Sequence, residues 1–325
     1  MNSTSRFASI LAAVLLGTGG SQAIAANPCT DRYMKMVIPQ PAGSVGDVVG
    51  RIVGTKVTEV LGQPVVFENR PGATTTIGNA AVAASKPDGC TILEFTISGL
   101  VAGLMRNDLP YSTERDLEPV IGIGTFPLVL AVSAGSKIRT YEDFVAAAKA
   151  PAGLNYSTGG PGTVAHLTSV RLLKELGGTG THVPFKGNAY AIQSLAANDV
   201  QFMFPTTADA LPLVQAGKIR ILGVTSDKRL PLIPDVPTMK ELGQADFTPS
   251  VWYMFMVPSA TPKETITRLY DAYAKALNDP AINKQLVGLG YAPETRTPAD
   301  AKAYLKQEAA KWKKVVEENH ITNYE

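Results

Sequence analysis

Two stretches of this 325-residue chain set hydroxyls and glycines just ahead of helix-like apolar runs, and a third sets hydroxyls alone there. The first is Ala42-Gly43-Ser44, the second runs Ser157-Thr158-Gly159-Gly160-Pro161-Gly162-Thr163, and the third is Thr206-Thr207. A strand that runs straight into a helix leaves the first backbone N–H groups unpaired at the positive end of the helix dipole, which suits an anion. Ser44, Ser98, Ser157, Thr158, Thr163 and Thr206 add neutral side-chain donors. Two such helix starts facing each other can each take one carboxylate without a buried arginine, because hydrogen bonds to an ionised group contribute roughly 1.5–3 kcal/mol each. Against this stand the plain use of the same hydroxyls as helix caps, and Asp47, whose charge opposes an anion at the first helix start.

Catalytic chemistry has weaker support. A nucleophile elbow needs Gly-x-Ser-x-Gly, and Tyr156-Ser157-Thr158-Gly159 lacks the leading glycine. A serine paired with His166 leaves a secreted serine hydrolase as the enzymatic alternative, although a lone histidine in a first helical turn more often packs or touches ligand. The Gly159–Thr163 loop lacks the Lys-Ser/Thr ending of a phosphate loop and the acidic partner of a dinucleotide fingerprint. His166, His182 and His320 are scattered, with no metal-ligand spacing. The chain therefore reads as a binding protein with no catalytic residue, metal or cofactor.

The elements that must position these groups alternate. Met34–Ile38 is a short apolar strand, and the helix after it carries Val48, Val49, Ile52, Val53, Val57, Val60 and Leu61 on one face. Ser44 and Asp47 have capping-box spacing, as do Thr140 with Asp143 and Thr206 with Asp209. Strands at Pro64–Glu68 and Thr91–Thr96, with a helix Ile77–Ser85 between them, complete a βαβαβ order and a parallel sheet with right-handed crossovers. Ligands bind beyond the carboxyl ends of such strands, where Ala42–Ser44, Thr74–Thr76 (with Thr75 at its centre) and Ser98 fall. Further strands are expected at Leu117–Ile123 and Leu128–Val132, separated by a Gly124–Pro127 turn, then at Leu154–Tyr156, His182–Pro184, Val200–Phe204, Ile219–Thr225 and Ser250–Val257. Helices are expected at Val164–Leu176, Ala189–Ala197, Lys263–Asn278, Ala281–Leu289 and Pro298–Asn319. Two half-sheets joined by an aromatic-rich strand suggest two α/β lobes across a cleft, with the helical tail returning to the first.

Composition narrows the class. The chain is 45% apolar with 30 basic and 28 acidic residues, and no basic cluster points to nucleic acid. Residues 1–25 read as a secretory signal peptide: Arg6, an apolar run through Ala8–Leu16, and Ala23-Ile24-Ala25 as the cleavage site. The glycine- and serine-rich Gly17–Ser21 ends that run before it reaches membrane-spanning length, and no later segment is apolar enough to span. An exported protein follows. Cys29 and Cys90 each precede a strand; if those strands are parallel neighbours, both thiols reach one sheet edge and can bridge. Two small buried thiols are the alternative.

The ordered segments VIPQPAGSVGDVVGR, LGQPVVFENRPGATTTIG, PDGCTIL, LNYSTGGPGTVAHL, VPFKG, AGKIRILGVTSDKR and IPDVPT resemble the exported receptors of tripartite tricarboxylate transporters, also called Bug proteins. The likeness covers nearly the whole mature chain. It implies a two-lobed periplasmic binding protein of type II-like fold, each lobe a mixed, mostly parallel sheet flanked by helices. Lobe 1 would be residues 26–127 plus 250–325 and lobe 2 residues 128–249, with crossovers near Ile121–Val132 and Thr248–Val257. A ligand carboxylate would be held by Ala42, Gly43 and Ser44 and by Ser157, Thr158, Gly159 and Thr163, with Thr75, Ser98, His166 and Thr206 completing the site. The partners would be a small organic carboxylate and two integral membrane subunits, the receptor itself a monomer. Two departures stand out. Gln40 replaces a frequent aromatic, and Pro205-Thr206-Thr207 replaces a frequent acid after Phe204, which argues against an amino-bearing ligand. Phe185, Tyr190 and Trp252 would offer a flat slot for an aromatic dicarboxylate such as terephthalate; citrate- or malate-like acids are the aliphatic counterpart. A receptor presenting its ligand to a membrane kinase is a further alternative.

Overall fold

The computed structural model describes residues 33–106 and 108–318. The expected signal peptide and cleavage site, Cys29 and His320 lie outside the described residues, and with Cys29 so does the expected bridge to Cys90.

Apolar β-rich segments alternate with capped helices along the chain. The first layer set comprises β1 (Met34–Ile38), α1 (Val45–Leu61), β2 (Val65–Asn69), α2 (Thr76–Ala83), β3 (Thr91–Thr96), α3 (Ile97–Met105), the short α4 (Thr113–Asp116) and β4 (Leu117–Pro127). The middle of the chain supplies β5 (Val129–Ser133), α5 (Tyr141–Lys149), β6 (Leu154–Thr158), α6 (Val164–Leu176), β7 (Gly180–Pro184), α7 (Asn188–Ala196), β8 (Phe202–Met203), α8 (Thr207–Gln215) and β9 (Ile219–Val224). Then come β10 (Ser250–Pro258), α9 (Lys263–Leu277), α10 (Pro280–Gly288), β11 (Ala292–Arg296) and α11 (Pro298–Glu318).

Two sheets result among the described residues: β11-β4-β10-β3-β1-β2 and β7-β6-β8-β5-β9. In the first, β1 pairs in parallel with β2 and β3, whereas β10 is antiparallel to β3 and β4, and β11 to β4. In the second, β6 is parallel to β7 and β8, and β5 antiparallel to β8 and β9. Both sheets are therefore mixed, with most strands sharing one direction.

The chain passes between the sheets at Leu128 and again on entering β10. Thr225 ties both passages together: its Oγ1 accepts from Leu128 N–H at 2.8 Å and lies 3.0 Å from the Leu128 carbonyl and 2.6 Å from that of Pro249. The expected turn at Gly124–Pro127 is instead the end of β4. Gly124 has φ +122, and a Cβ there would fall 2.5 Å from the Ala292 carbonyl, so glycine lets β11 pack tightly against an uninterrupted strand.

Helix α3 and strand β11 were not legible in the sequence. Ile97-Ser98-Gly99-Leu100-Val101-Ala102-Gly103-Leu104-Met105 is apolar nearly all round and is covered by α11, so it has no amphipathic period to read. Strand β11, Ala-Pro-Glu-Thr-Arg, is a polar edge. Pro262 occupies the cap position of α9 rather than its first turn. The tail helix α11 packs on β4 and α3 as anticipated, and the Glu308 carboxylate accepts from the indole N–H groups of Trp252 and Trp312, both at 2.9 Å.

Candidate functional site

A cleft of about 510 Å³ opens between the two sheets, a size suited to a small organic ligand. Its walls contain the N-cap residues of six helices: Ser44 (α1), Thr75 (α2) and Thr96 (α3) from one side, and Thr163 (α6), Gly187 (α7) and Thr206 (α8) from the other. Each strand of the parallel portions delivers its following helix with the N-terminus pointing to the same end of the sheet. Two sheets facing one another therefore aim their positive helix ends into shared space.

Of the residues singled out from sequence, Ala42, Gly43, Ser44, Thr75, Ser98, Gly159, Thr163 and Thr206 border the cleft. Most of their hydroxyls are occupied as caps. Ser44 Oγ accepts from Asp47 N–H, Thr163 Oγ1 donates to the Gly160 carbonyl at 2.8 Å, and Thr206 Oγ1 donates to Asp209 Oδ2 at 2.9 Å. Among these residues the Ser98 hydroxyl makes no hydrogen bond to the described residues, so it and the first-turn N–H groups are the donors that this set leaves for a ligand.

Ser157, Thr158 and His166, also expected at the site, do not border the cleft. Ser157 is fully buried in β6 and donates to the Ala191 carbonyl at 2.9 Å. Thr158 bonds the Gly160 carbonyl and His182 Nε2. His166 lies behind the loop, its ring stacked on His182 with centroids 4.0 Å apart and its Nδ1 accepting from Gly162 N–H. Ser157 and Thr158 end β6 with both residues fully buried, and only the loop after them reaches the opening. Burial, with the neighbouring His182, lowers the His166 pKa to about 4, and burial also lowers that of His182. Ser157 and His166 therefore form no nucleophile–base pair, and the hydrolase reading loses its geometry.

The flat aromatic slot is also corrected. Trp252 is fully buried against Phe95 and Tyr304, and Phe185 lies outside the cleft walls; Tyr190 alone of the three borders it.

Several lining residues escaped the sequence reading: Gln40, Lys186, Asn188, Tyr253 and Asp209. Asp209 matters most, because it supplies an acid where the sequence suggested none. The capping-box spacing of Thr206 and Asp209 was visible, but not that it brings Asp209 to the cleft wall. Burial raises the Asp209 pKa, and hydrogen bonds from Thr206 and Asn188 only partly oppose this. Asp47 behaves differently. Burial pushes its carboxyl up, but bonds from Arg51, Gly43 N–H and Asn69, each 2.9 Å, hold it below the ordinary carboxylate value, and Asp47 does not line the cleft. Its opposition to an anion at α1 is thereby neutralised. Lys186 and Asp209 are the charged side chains on the cleft walls among the described residues. Among the described residues no group of three or more metal-ligating side chains comes together, and no helix is long and apolar enough to cross a membrane.

Residues 49–321 match the family described as the tripartite tricarboxylate transporter family receptor, TctC. The chain belongs to this family. BugT of Bordetella pertussis is 30% identical over 321 residues, covering 98% of each chain. Among solved structures, MatC of Rhodopseudomonas palustris with bound malate superposes with a TM-score of 0.79 at 27% identity, over 88% of this chain and 99% of the other. A second R. palustris protein, solved with adipate, gives 0.82 at 28% identity over 90% and 99%. The two helix-flanked sheets are thus the two-lobed α/β fold of periplasmic binding proteins, and the family is one of solute-binding receptors.

Proposed function

We propose that this TctC receptor is exported to the periplasm, captures a small organic carboxylate in the interlobe cleft and delivers it to two integral membrane subunits of a tripartite tricarboxylate-type carrier. The observation that carries this is the convergence of six helix N-caps on one cleft, with no arginine in its walls among the described residues. Malate in MatC and adipate in the second relative, both carboxylates, support the same ligand class. We take residues 26–127 with 250–325 as one lobe and 128–249 as the other, hinged at Leu128 and at the Pro249–Ser250 entry to β10. Ala42, Gly43, Ser44 and Ser98 then hold the ligand from the first lobe, and Gly159, Thr163 and Thr206 from the second. Closure follows by population shift, since a ligand bonded to both lobes contacts the closed state more than the open one. The receptor acts as a monomer, without catalysis.

The test is thermal denaturation against mono-, di- and tricarboxylates, with Ser98→Ala alongside. Ligand that binds only the folded state raises the melting temperature by mass action. A shift of several degrees for a narrow group, weakened about tenfold in affinity by Ser98→Ala, supports the site. No shift with any carboxylate removes the proposal.

A further inference from the structure

We infer that the ligand carries, besides its carboxylate, a hydrogen-bond donor — an ammonium or a hydroxyl — that Asp209 accepts from the second lobe. The inference rests on the carboxylate-receptor reading and names the ligand's other end.

The geometry is asymmetric. On the first-lobe side the cleft presents the starts of α1 and α3 and the unpartnered Ser98 hydroxyl, and Asp47, in the first turn of α1, is tied up by Arg51 and Asn69. On the second-lobe side Asp209, in the first turn of α8, borders the cleft with its carboxyl bonded by Thr206 and by the Asn188 side chain. Both partners are neutral, and no basic group contributes to its surroundings. Lys186, on the loop before α7, is exposed and forms no ion pair among the described residues. Across the cleft Tyr253 of β10 is close enough for its phenol to feel the Asp209 charge.

A carboxylate in such a place has two uses. It repels a second ligand carboxylate brought beside it, since like charges in a partly dehydrated cleft interact strongly. It accepts strongly from a ligand ammonium or hydroxyl, the bond being charge-assisted. A site that combines both discriminates by attraction and by repulsion. Asp209 is then the residue that separates amino and hydroxy acids from plain dicarboxylates of equal length.

The experiment is calorimetric titration of the full mature chain with matched sets of acids. Each set shares one carboxylate and one carbon spacing, from two to five carbons, and ends in an ammonium, a hydroxyl, a second carboxylate or a methyl group. In the wild type, the ammonium or hydroxyl member of one set is expected to bind at least tenfold tighter than its dicarboxylate and methyl counterparts. Asp209→Asn, which keeps the shape and an acceptor oxygen, is expected to bring that advantage within threefold while the melting temperature holds. If Asp209→Asn melts early, Asp209→Ser carries the same comparison. A dicarboxylate that binds tightest, with affinity unchanged in the variant, overturns the role of Asp209 and leaves the receptor standing. Absence of binding by every member overturns the carboxylate reading itself, and the donor with it.

Discussion

Individual buried ionisable groups give this protein opposing responses to pH. His166 is 4% exposed, and its neutral ring accepts from Gly162 N–H while stacking on His182. Its pKa is about 4 in the fold against 6.5 ordinarily. Between those values the unfolded chain binds the extra proton, so this contribution is fully present above about pH 6.5 and is lost as pH falls toward 4. It amounts to on the order of 3 kcal/mol. The His166 C2–H resonance should titrate near 4, and a midpoint near 6.5 would show a ring open to water. Glu94 works the other way. It is fully buried beneath α1, neither carboxyl oxygen has a partner among the described residues, and burial with the nearby Asp47 charge raises its pKa well above 4.5. The folded state holds its proton where the unfolded state releases it, so this term weakens stability as pH rises above 4.5. Glu94→Gln should be indistinguishable from wild type in denaturant unfolding at pH 4 and more stable by about 1–3 kcal/mol at pH 8. An equal gain at both values would assign the effect to packing.

At the scale of elements, the approach to α2 is where the backbone is most strained. Ala73, Thr74 and Thr75 have φ of 45, 52 and 74°, a left-handed run containing two β-branched residues. Each left-handed non-glycine residue costs roughly 1–2 kcal/mol, and such strain concentrates where structure serves binding. The run brings Thr75 to the cleft wall while Thr74 stays exposed. Thr74→Asn, with a residue more tolerant of this conformation, should raise stability by about 1 kcal/mol without altering ligand affinity. Chemical denaturation decides it, and a loss of stability would mean that the Thr74 side chain holds the turn. Caps set the same helices in register: α5 shows the full reciprocal box of Thr140 and Asp143. In α1 the Asp47 carboxylate reaches Gly43 N–H instead, a donor one residue earlier. That diversion pins the Ala42–Ser44 loop.

For the whole molecule, the two passages between the sheets are where the proposed closure would hinge. Thr225 is 1% exposed, and its hydroxyl is within hydrogen-bond distance of Leu128 on one passage and Pro249 on the other. Thr225→Val keeps the shape and leaves these buried backbone groups without their partner. It should cost about 1–3 kcal/mol and change ligand affinity more than any substitution of equal cost in the outer helices. Denaturant unfolding paired with calorimetry reads both effects. An affinity equal to wild type would separate Thr225 from closure.

Local chemistry by itself determined much of this protein. Hydrophobic periodicity placed β1, α1, β3, β10 and most helices, because strand and helix periods are read over a few neighbouring residues. Capping-box spacing placed the starts of α1, α5 and α8, because a cap joins residues only three apart. The ordered family segments located the glycine and hydroxyl loops that border the cleft. What the sequence left open is which way side chains face once sheets assemble. Ser157 and Thr158 carry donor chemistry but end an interior strand, and Trp252 belongs to a core that α11 closes from 56 residues further on. Asp209 and Tyr253 come from strands and helices of different sheets and meet only after the chain has crossed between them twice. Facing is set by strand order and crossover, which depend on long-range packing, and no pattern within one turn or strand encodes it.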